Sequence, residues 1–129
     1  MGKKTDPGVR RQLRAAVTAA VAKKAGDPVV LDVRKLADFC DYFFICEGSN
    51  PHQIQAIAEA VELRVERSGG VRPSHREGER EGEWIVLDYL DFIIHVFSPR
   101  IRRFYDLERL WGGAPRLELP AAARKAATL

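Results

Sequence analysis

Apolar residues recur at helical spacing in three stretches, which span residues 7–25, 51–68 and 99–111. Each stretch follows a polar N-cap residue and begins with proline, the preferred order at a helix start. The N-cap residues are Asp6, Asn50 and Ser98. Glycine follows the end of each stretch, as is typical of helix ends. The pattern therefore predicts three helices.

Short apolar runs rich in β-branched and aromatic residues predict strands at 29–33, 42–46, 84–88 and 92–97. The first two runs do not alternate with polar residues, which indicates that both of their faces are covered. The last two are joined by only Tyr89-Leu90-Asp91, so we expect an antiparallel hairpin. Residues 71–76 contain Pro73 and can form only an edge strand, and residues 78–82 predict an exposed loop.

This order of elements predicts one α/β domain in which helices pack on a mixed β-sheet. A length of 129 residues with 46% hydrophobic residues suits one domain with its own core. We expect a basic N-terminal extension at 1–8, the domain at 9–113, and a C-terminal tail at 114–129 outside the compact core.

The composition argues against membrane and secreted classes. No run of roughly 18 apolar residues is present, and residues 1–11 lack the apolar core of a secretory signal. The sequence therefore predicts a cytoplasmic protein with no membrane contact. Cys40 and Cys46 lie in or beside an apolar run, outside any metal-binding spacing, and are interpreted as buried free thiols.

Charge is segregated along the chain although the net charge is only +3. Residues 1–24 and 98–129 are predominantly basic, whereas residues 25–51 and 77–97 are predominantly acidic. The six acids of the second acidic stretch are Glu77, Glu79, Glu81, Glu83, Asp88 and Asp91. A chain of this kind suits a mixed partner in which basic protein adjoins phosphate, although a solvated surface without a partner gives the same pattern.

Metal and cofactor chemistry finds little support. His52, His75 and His95 lie in three different elements without metal-ligand spacing, so no metal site is predicted. His95 lies within an apolar strand and is interpreted as a hydrogen-bonded core residue. No phosphate-binding glycine motif is present, and we expect no cofactor.

The sequence only weakly resembles a nucleotide-transfer site. Gly48-Ser49 lies between a strand and a helix, where an anion can bind, and Asp88 with Asp91 can hold a metal. The two aspartates flank a turn and diverge, so turn formation or surface exposure is the better interpretation. Neither cysteine has a neighbouring base that would make it a nucleophile.

A recognition surface is the remaining interpretation. Amphipathic aromatic residues lie at the margins of elements, close to acidic residues, as at protein interfaces. They are Trp84, Tyr89, Tyr105 and Trp111. Core packing is favoured for Trp111 and for Phe104, whereas for Trp84 and Tyr89 interface and core roles stay equally open.

Several motifs together resemble one known family. They read DFCDYFFICEGSN at 38–50, QAIA at 55–58, WIVLDY at 84–89, HVF at 95–97 and FYDLERLWG at 104–112. In this order they are similar to the ribosomal silencing factor family, also called Iojap-related. The resemblance spans roughly residues 9–117.

The resemblance implies a nucleotidyltransferase-like fold without catalytic residues, and hence neither enzyme activity nor a small-molecule substrate. It also implies binding to the large ribosomal subunit through ribosomal protein fourteen (uL14), at the surface that meets the small subunit. Subunit joining would be blocked and translation repressed when nutrients are scarce. Family members tend to form homodimers, for which the edge at 71–76 is a plausible surface.

The resemblance also supplies candidate contacts to the ribosomal protein, which are Trp84, Asp88, Tyr89, His95, Tyr105 and Glu108. We expect the acidic stretch to face this basic protein and the basic ends to reach adjacent rRNA. One departure is Leu90, where the family usually has glycine. Leucine is costly at this position if the turn requires a positive φ.

Two other functions stay open. A residual nucleotidyltransferase requires carboxylates that converge near Gly48-Ser49, and none can be placed there from the sequence. A general RNA-binding module that uses the basic ends requires strongly salt-dependent binding to naked RNA. Only the ribosome-binding repressor accounts for the acidic middle of the chain.

Overall fold

The computed structural model describes residues 7–78 and 82–120. Its helices and strands follow the predicted order, with one further short helix and one further short strand after the last predicted helix begins. The helices are α1 (Pro7–Ala22), α2 (Pro51–Gly69), α3 (Pro99–Tyr105) and α4 (Leu107–Leu110). The strands are β1 (Gly26–Asp32), β2 (Tyr42–Glu47), β3 (His75–Glu77), β4 (Trp84–Asp88), β5 (Phe92–Phe97) and β6 (Arg116–Leu117). The proposed N-cap Asp6 lies outside the described residues.

The six strands form one sheet in the order β3-β4-β5-β2-β1-β6. Strands β2 and β5 pair in parallel at its centre, and every other neighbouring pair is antiparallel. The α/β domain with a mixed sheet and the hairpin of β4 with β5 are therefore confirmed. A parallel pair needs a crossover connection, and α2 lies within it.

Helices α1 and α2 cover one face of the sheet. Their buried side chains, among them Leu13, Val17, Ile57 and Val61, pack against alternate residues of β2, β4 and β5. Helix α2 begins as predicted, because the side chain of Asn50 accepts a hydrogen bond from the backbone N–H of Gln53 at 2.8 Å. We call this side of the sheet the helix side.

The opposite face is covered only in part by the described residues. Phe43, Ile45 and Phe97 are buried there under side chains of α3, α4 and the segment after α4. The covering residues are Ile101, Leu107, Trp111 and Ala114. We call this side the open side. Both cysteines are buried free thiols, as predicted.

The third predicted helix is two helices. Asp106 adopts a left-handed conformation with φ 48°, which ends α3 and starts α4. An aspartate tolerates this conformation better than most residues, and its backbone N–H bonds to the carbonyl of Arg102. The single helix expected from the apolar spacing is therefore wrong.

The predicted domain boundaries also need correction. Residues 7–8 belong to α1, whereas residues 1–6 lie outside the described residues. Residues 114–120 are not a tail, because Ala114 is buried and Leu117 pairs with Val30 at the edge of the sheet. Strand β6 supplies hydrogen-bond partners to the edge of β1. The local sequence of residues 114–120 does not reveal this pairing, because it depends on a strand far away in the chain. Residues 79–81 of the predicted loop and the tail at 121–129 lie outside the described residues.

The turn between β4 and β5 places Leu90 at φ 71°, in the left-handed region. The Leu90 backbone N–H donates to Asp88 Oδ1 at 2.8 Å, which holds the turn. This bond confirms the turn-forming interpretation of Asp88. The leucine side chain is 64% exposed, so it gains little from packing to offset the strain.

We expect Leu90→Gly to raise the free energy of unfolding by about 0.5 to 1 kcal/mol. A left-handed non-glycine residue costs about 1–2 kcal/mol, and the greater freedom of glycine in the unfolded chain cancels part of the gain. Urea unfolding followed by circular dichroism measures the change. Leu90→Ala is the control, because it shortens the side chain without relieving φ. A Leu90→Gly variant no more stable than Leu90→Ala would contradict this account.

Candidate functional site

A row of rings crosses the open side of the sheet. Neighbouring ring centroids lie 6.1 Å apart from Phe39 to Phe43, 5.3 Å from Phe43 to His95, 6.0 Å from His95 to Trp84, 4.7 Å from Trp84 to Tyr105, and 5.1 Å from Tyr105 to Phe104. We call these six side chains the aromatic surface. Three separate segments contribute to it, namely the loop before β2 with β2 itself, the β4–β5 hairpin, and α3.

The two ends of the aromatic surface are open to solvent. Phe39 is 59% exposed at one end, and Tyr105 and Phe104 are 49% and 75% exposed at the other. Such large rings are rarely left in water side by side unless a partner covers them. Aromatic residues of this kind are enriched where proteins bind one another.

The centre of the row is held by a hydrogen bond. Trp84 Nε1–H donates to His95 Nδ1 at 3.2 Å, which sets the neutral imidazole with its proton on Nε2. His95 is buried, and this burial lowers its pKa to about 4. Its Nε2 has no hydrogen-bond partner within 7–78 and 82–120. The interpretation of His95 as a hydrogen-bonded core residue is therefore confirmed, and its role is to position Trp84.

Four of the six candidate contact residues lie on this side of the sheet. Trp84, His95 and Tyr105 belong to the aromatic surface. Asp88 alternates with Trp84 along β4 and so shares its face, at the opposite end of the strand. One oxygen of its carboxylate accepts the hydrogen bond from the Leu90 backbone N–H within the turn.

Tyr89 lies elsewhere. Its ring stacks on Phe92 with centroids 4.8 Å apart and belongs to the core on the helix side. The hydroxyl is buried without a hydrogen-bond partner in the described residues, and burial raises its pKa to about 12. The structure thus places Tyr89 away from the aromatic surface.

Glu108 is occupied by ion pairs within the chain. Its carboxylate accepts from Arg102 Nε at 2.9 Å and from Arg116 at 3.2 Å. Arg102 is buried and also donates to Glu47 at 3.0 Å. This network joins β2, α3, α4 and β6, so Glu108 helps to hold the fold.

Sequence reasoning misplaced one ring and missed two others. Phe104 was expected in the core but is the most exposed aromatic residue of the surface, because α3 ends one residue after it. Phe39 and Phe43 were not singled out, although both lie within a segment that carries the family resemblance. Trp111 packs on both of them with centroids 6.1 and 5.3 Å away, in agreement with its expected packing role.

The groups that a nucleotide-transfer site would need near Gly48-Ser49 are bonded to other side chains of the protein. The backbone N–H of Ser49 donates to Gln53 Oε1 at 2.7 Å, at the start of α2. The carboxylates of Glu47 and Glu83, at the same end of the sheet, pair with Arg102 and Arg100. Within 7–78 and 82–120, no group of three His, Cys, Asp or Glu side chains is placed to hold a metal.

No helix among the described residues is long and apolar enough to cross a membrane.

Comparison with known proteins gives one consistent family. Residues 6–128 match the profile of the family described as ribosomal silencing factor during starvation. The chain is 37% identical over 107 residues to ribosomal silencing factor RsfS of Halalkalibacterium halodurans, covering 83% of this chain and 91% of the relative. It is 36% identical over 107 residues to RsfS of Bacillus subtilis, covering 83% and 90%. A crystal structure of a Chromobacterium violaceum protein superposes with TM-score 0.76 at 29% identity, covering 92% and 97%.

We expect the stability of the protein to fall between pH 6.5 and 4 through His95. The pKa of this histidine is about 4 when folded and near 6.5 when unfolded, so only the unfolded chain gains its proton in this window. The excess stability of the wild type over His95→Phe should therefore be about 2 kcal/mol smaller near pH 4.5 than near pH 7.5. Urea unfolding at both pH values tests this. The exposed His52→Gln serves as control, and an equal difference at both pH values would refute the expectation.

We expect Arg102→Met to lower the free energy of unfolding by about 2 to 3 kcal/mol. The substitution keeps an apolar side chain of similar length but leaves Glu47 and Glu108 without their buried partner. Both carboxylates keep some contact with water, so we expect less than the loss for a fully buried pair. Thermal or urea unfolding measures the loss. Arg103→Met, at an exposed neighbouring position, should change stability by less than about 0.5 kcal/mol, and an equal loss in both variants would contradict the network's role.

Proposed function

The chain belongs to the ribosomal silencing factor family, and from this premise we propose that it binds the large ribosomal subunit through ribosomal protein fourteen and blocks joining of the small subunit. A role in ribosome silencing comes with the family. The partner protein, the contact surface and the steric mechanism are our proposal. In it the protein acts in the cytoplasm by occupying a surface rather than by turning over a substrate.

The observation that supports the proposal is the row of rings on the open side of the sheet, whose two ends are exposed. Burial of an exposed aromatic ring contributes strongly to protein association, because the ring removes much apolar area from water and loses little conformational entropy. Tyr105 and Phe104 supply such rings at one end and Phe39 at the other. The rigid strands beneath them hold the row in place.

Acidic side chains next to the row favour a basic partner. Glu83 and Asp88 lie at the two ends of β4, and Glu77 lies on the neighbouring edge strand. Carboxylates around a protein contact select positively charged partners and speed their encounter. Ribosomal proteins are commonly basic because they pack against rRNA, which fits the proposed partner.

Contact with adjacent rRNA is a second component of the proposal. Helix α1 carries Arg10, Arg11 and Arg14 and no acidic residue. It lies on the helix side, so the sheet separates these arginines from the aromatic surface. An rRNA segment bound by α1 would therefore lie on the far side of the protein from ribosomal protein fourteen.

A homodimer is also proposed, with β3 as the pairing edge. Within the described residues β3 pairs with β4 alone, so its outer edge has unpaired backbone groups. This edge lies beside Trp84 of the aromatic surface. A second copy paired there would therefore lie next to the proposed ribosome-binding surface and would interfere with ribosome binding.

We expect the purified protein to sediment with separated large subunits and to reduce their joining to small subunits. Tyr105→Ala should weaken large-subunit binding by about tenfold, the usual effect of removing an aromatic contact worth about 1.4 kcal/mol. Gradient sedimentation with large subunits, small subunits and joined ribosomes measures both effects. Trp84→Ala should weaken binding further.

Leu63→Ala is the matched control, because Leu63 is 51% exposed and Tyr105 49%, but Leu63 lies on α2 across the sheet. It should bind like the wild type. Equal binding to both subunits would contradict the proposed partner, and equal loss in Leu63→Ala and Tyr105→Ala would contradict the proposed surface. Binding to naked rRNA as tight as to large subunits, with steep salt dependence, would instead support the RNA-binding alternative.

A further inference from the structure

A groove of about 430 Å³ adjoins the aromatic surface at the start of β4. It runs between the edge strand β3 and helix α3. Six side chains line it, namely Glu77, Glu83, Trp84, Val86, Ile101 and Tyr105. The groove therefore combines two carboxylates, two aromatic rings and two aliphatic side chains.

Backbone geometry at Gly78 brings Glu77 to this groove. Gly78 adopts φ 92°, and a Cβ at this position would lie 1.7 Å from the carbonyl oxygen of Trp84. Only glycine allows the chain leaving β3 to approach β4 so closely. The close approach fixes Glu77 opposite Val86, with which it pairs in the sheet.

The ion-pair partners of both carboxylates are exposed, and Glu83 Oε1 also accepts a hydrogen bond from Ser98 Oγ at 3.4 Å. Glu83 pairs with Arg100 at 2.7 Å, and a ring nitrogen of His75 lies 2.7 Å from Glu77 Oε1. The side chains of Arg100 and His75 are 68% and 64% exposed. Surface pairs of this kind contribute little and exchange readily, so an incoming cation can take the carboxylate of Glu77.

We propose that this groove receives an arginine side chain of the ribosomal protein partner. The methylene groups would lie on Val86 and Ile101, and the guanidinium would bind the carboxylate of Glu77 beside the ring of Tyr105. Arginine suits these walls because its planar head both stacks on aromatic rings and forms paired hydrogen bonds with a carboxylate. The inference rests on the proposed function and specifies the chemistry of its partner.

Other occupants fit these walls less well. A phosphate group would meet two carboxylates, and a purely apolar side chain would exclude water from them without replacing their hydrogen bonds. Among the described residues, the charged side chains that line the groove are two carboxylates and no cation. Charge complementarity therefore favours a cation.

Binding to large subunits tests the role of the carboxylate. Glu77→Gln keeps the shape of the side chain and removes its charge, so affinity for separated large subunits should fall by about tenfold at low salt. Glu59→Gln is the matched control, because Glu59 is an exposed acid on α2 across the sheet. Equal affinities of Glu77→Gln and Glu59→Gln would overturn the proposal, provided that the wild type binds.

A measurement without ribosomes separates this proposal from the proposed function. N-acetyl-arginine amide at millimolar concentration should shift the indole N–H signal of Trp84 in a heteronuclear NMR spectrum, and N-acetyl-citrulline amide, which lacks the charge, should not. The signal of Trp111 is the internal reference, and Trp84→Phe assigns the two indole signals. Glu77→Gln should abolish the shift.

Equal shifts with the arginine and citrulline compounds, or none with either, would overturn the groove as a cation site. A shift that is specific for arginine in a protein that does not bind large subunits would support the groove and contradict the proposed function.

Discussion

The parallel pairing of β2 with β5 is the constraint on which the rest of this fold depends. The two strands lie at the centre of the sheet, and their side chains are almost all apolar on both faces. Both faces therefore have to be covered. The crossover that a parallel pair requires supplies α2, and α1 packs beside it to complete the helix side. In the described part of the chain, the open side is covered by only two short helices and the segment after them, so part of this face stays uncovered and forms the aromatic surface.

The position of that boundary depends on the ion network of Arg102. The buried guanidinium joins Glu47 at the end of β2 to Glu108 in α4, and so draws both short helices onto the sheet. The left-handed Asp106 between these helices ends α3 directly after Tyr105. Tyr105 consequently packs on Trp84, while Phe104 is turned into solvent. The aromatic surface thus results from the packing of α3 on the sheet.

Local pattern predicted the elements better than their assembly. Caps and glycine stops placed α2 correctly, and the short connection forced the hairpin of β4 with β5. The split at Asp106 was missed because apolar spacing continues across it. Strand β6 has two residues and no local signal, and the pairing of Glu108 with Arg102 depends on tertiary contacts.

The family resemblance correctly grouped three of the candidate contact residues. The structure brings Trp84, His95 and Tyr105 into contact with one another through the ring of Trp84. The position of Tyr89 could have been predicted from the sequence. Side chains alternate along a strand, so Tyr89 shares the face of Ile85 and Leu87, which is the helix side.

In the proposed complex, two different forces on the open side would contribute to association. Carboxylates beside the aromatic surface would act over a distance of about a Debye length and orient a basic partner before contact, which would raise the association rate. The rings would act only at contact, and their burial would set how slowly the complex dissociates. The arginines of α1 lie across the sheet, so an anionic surface drawn to them does not cover the aromatic surface.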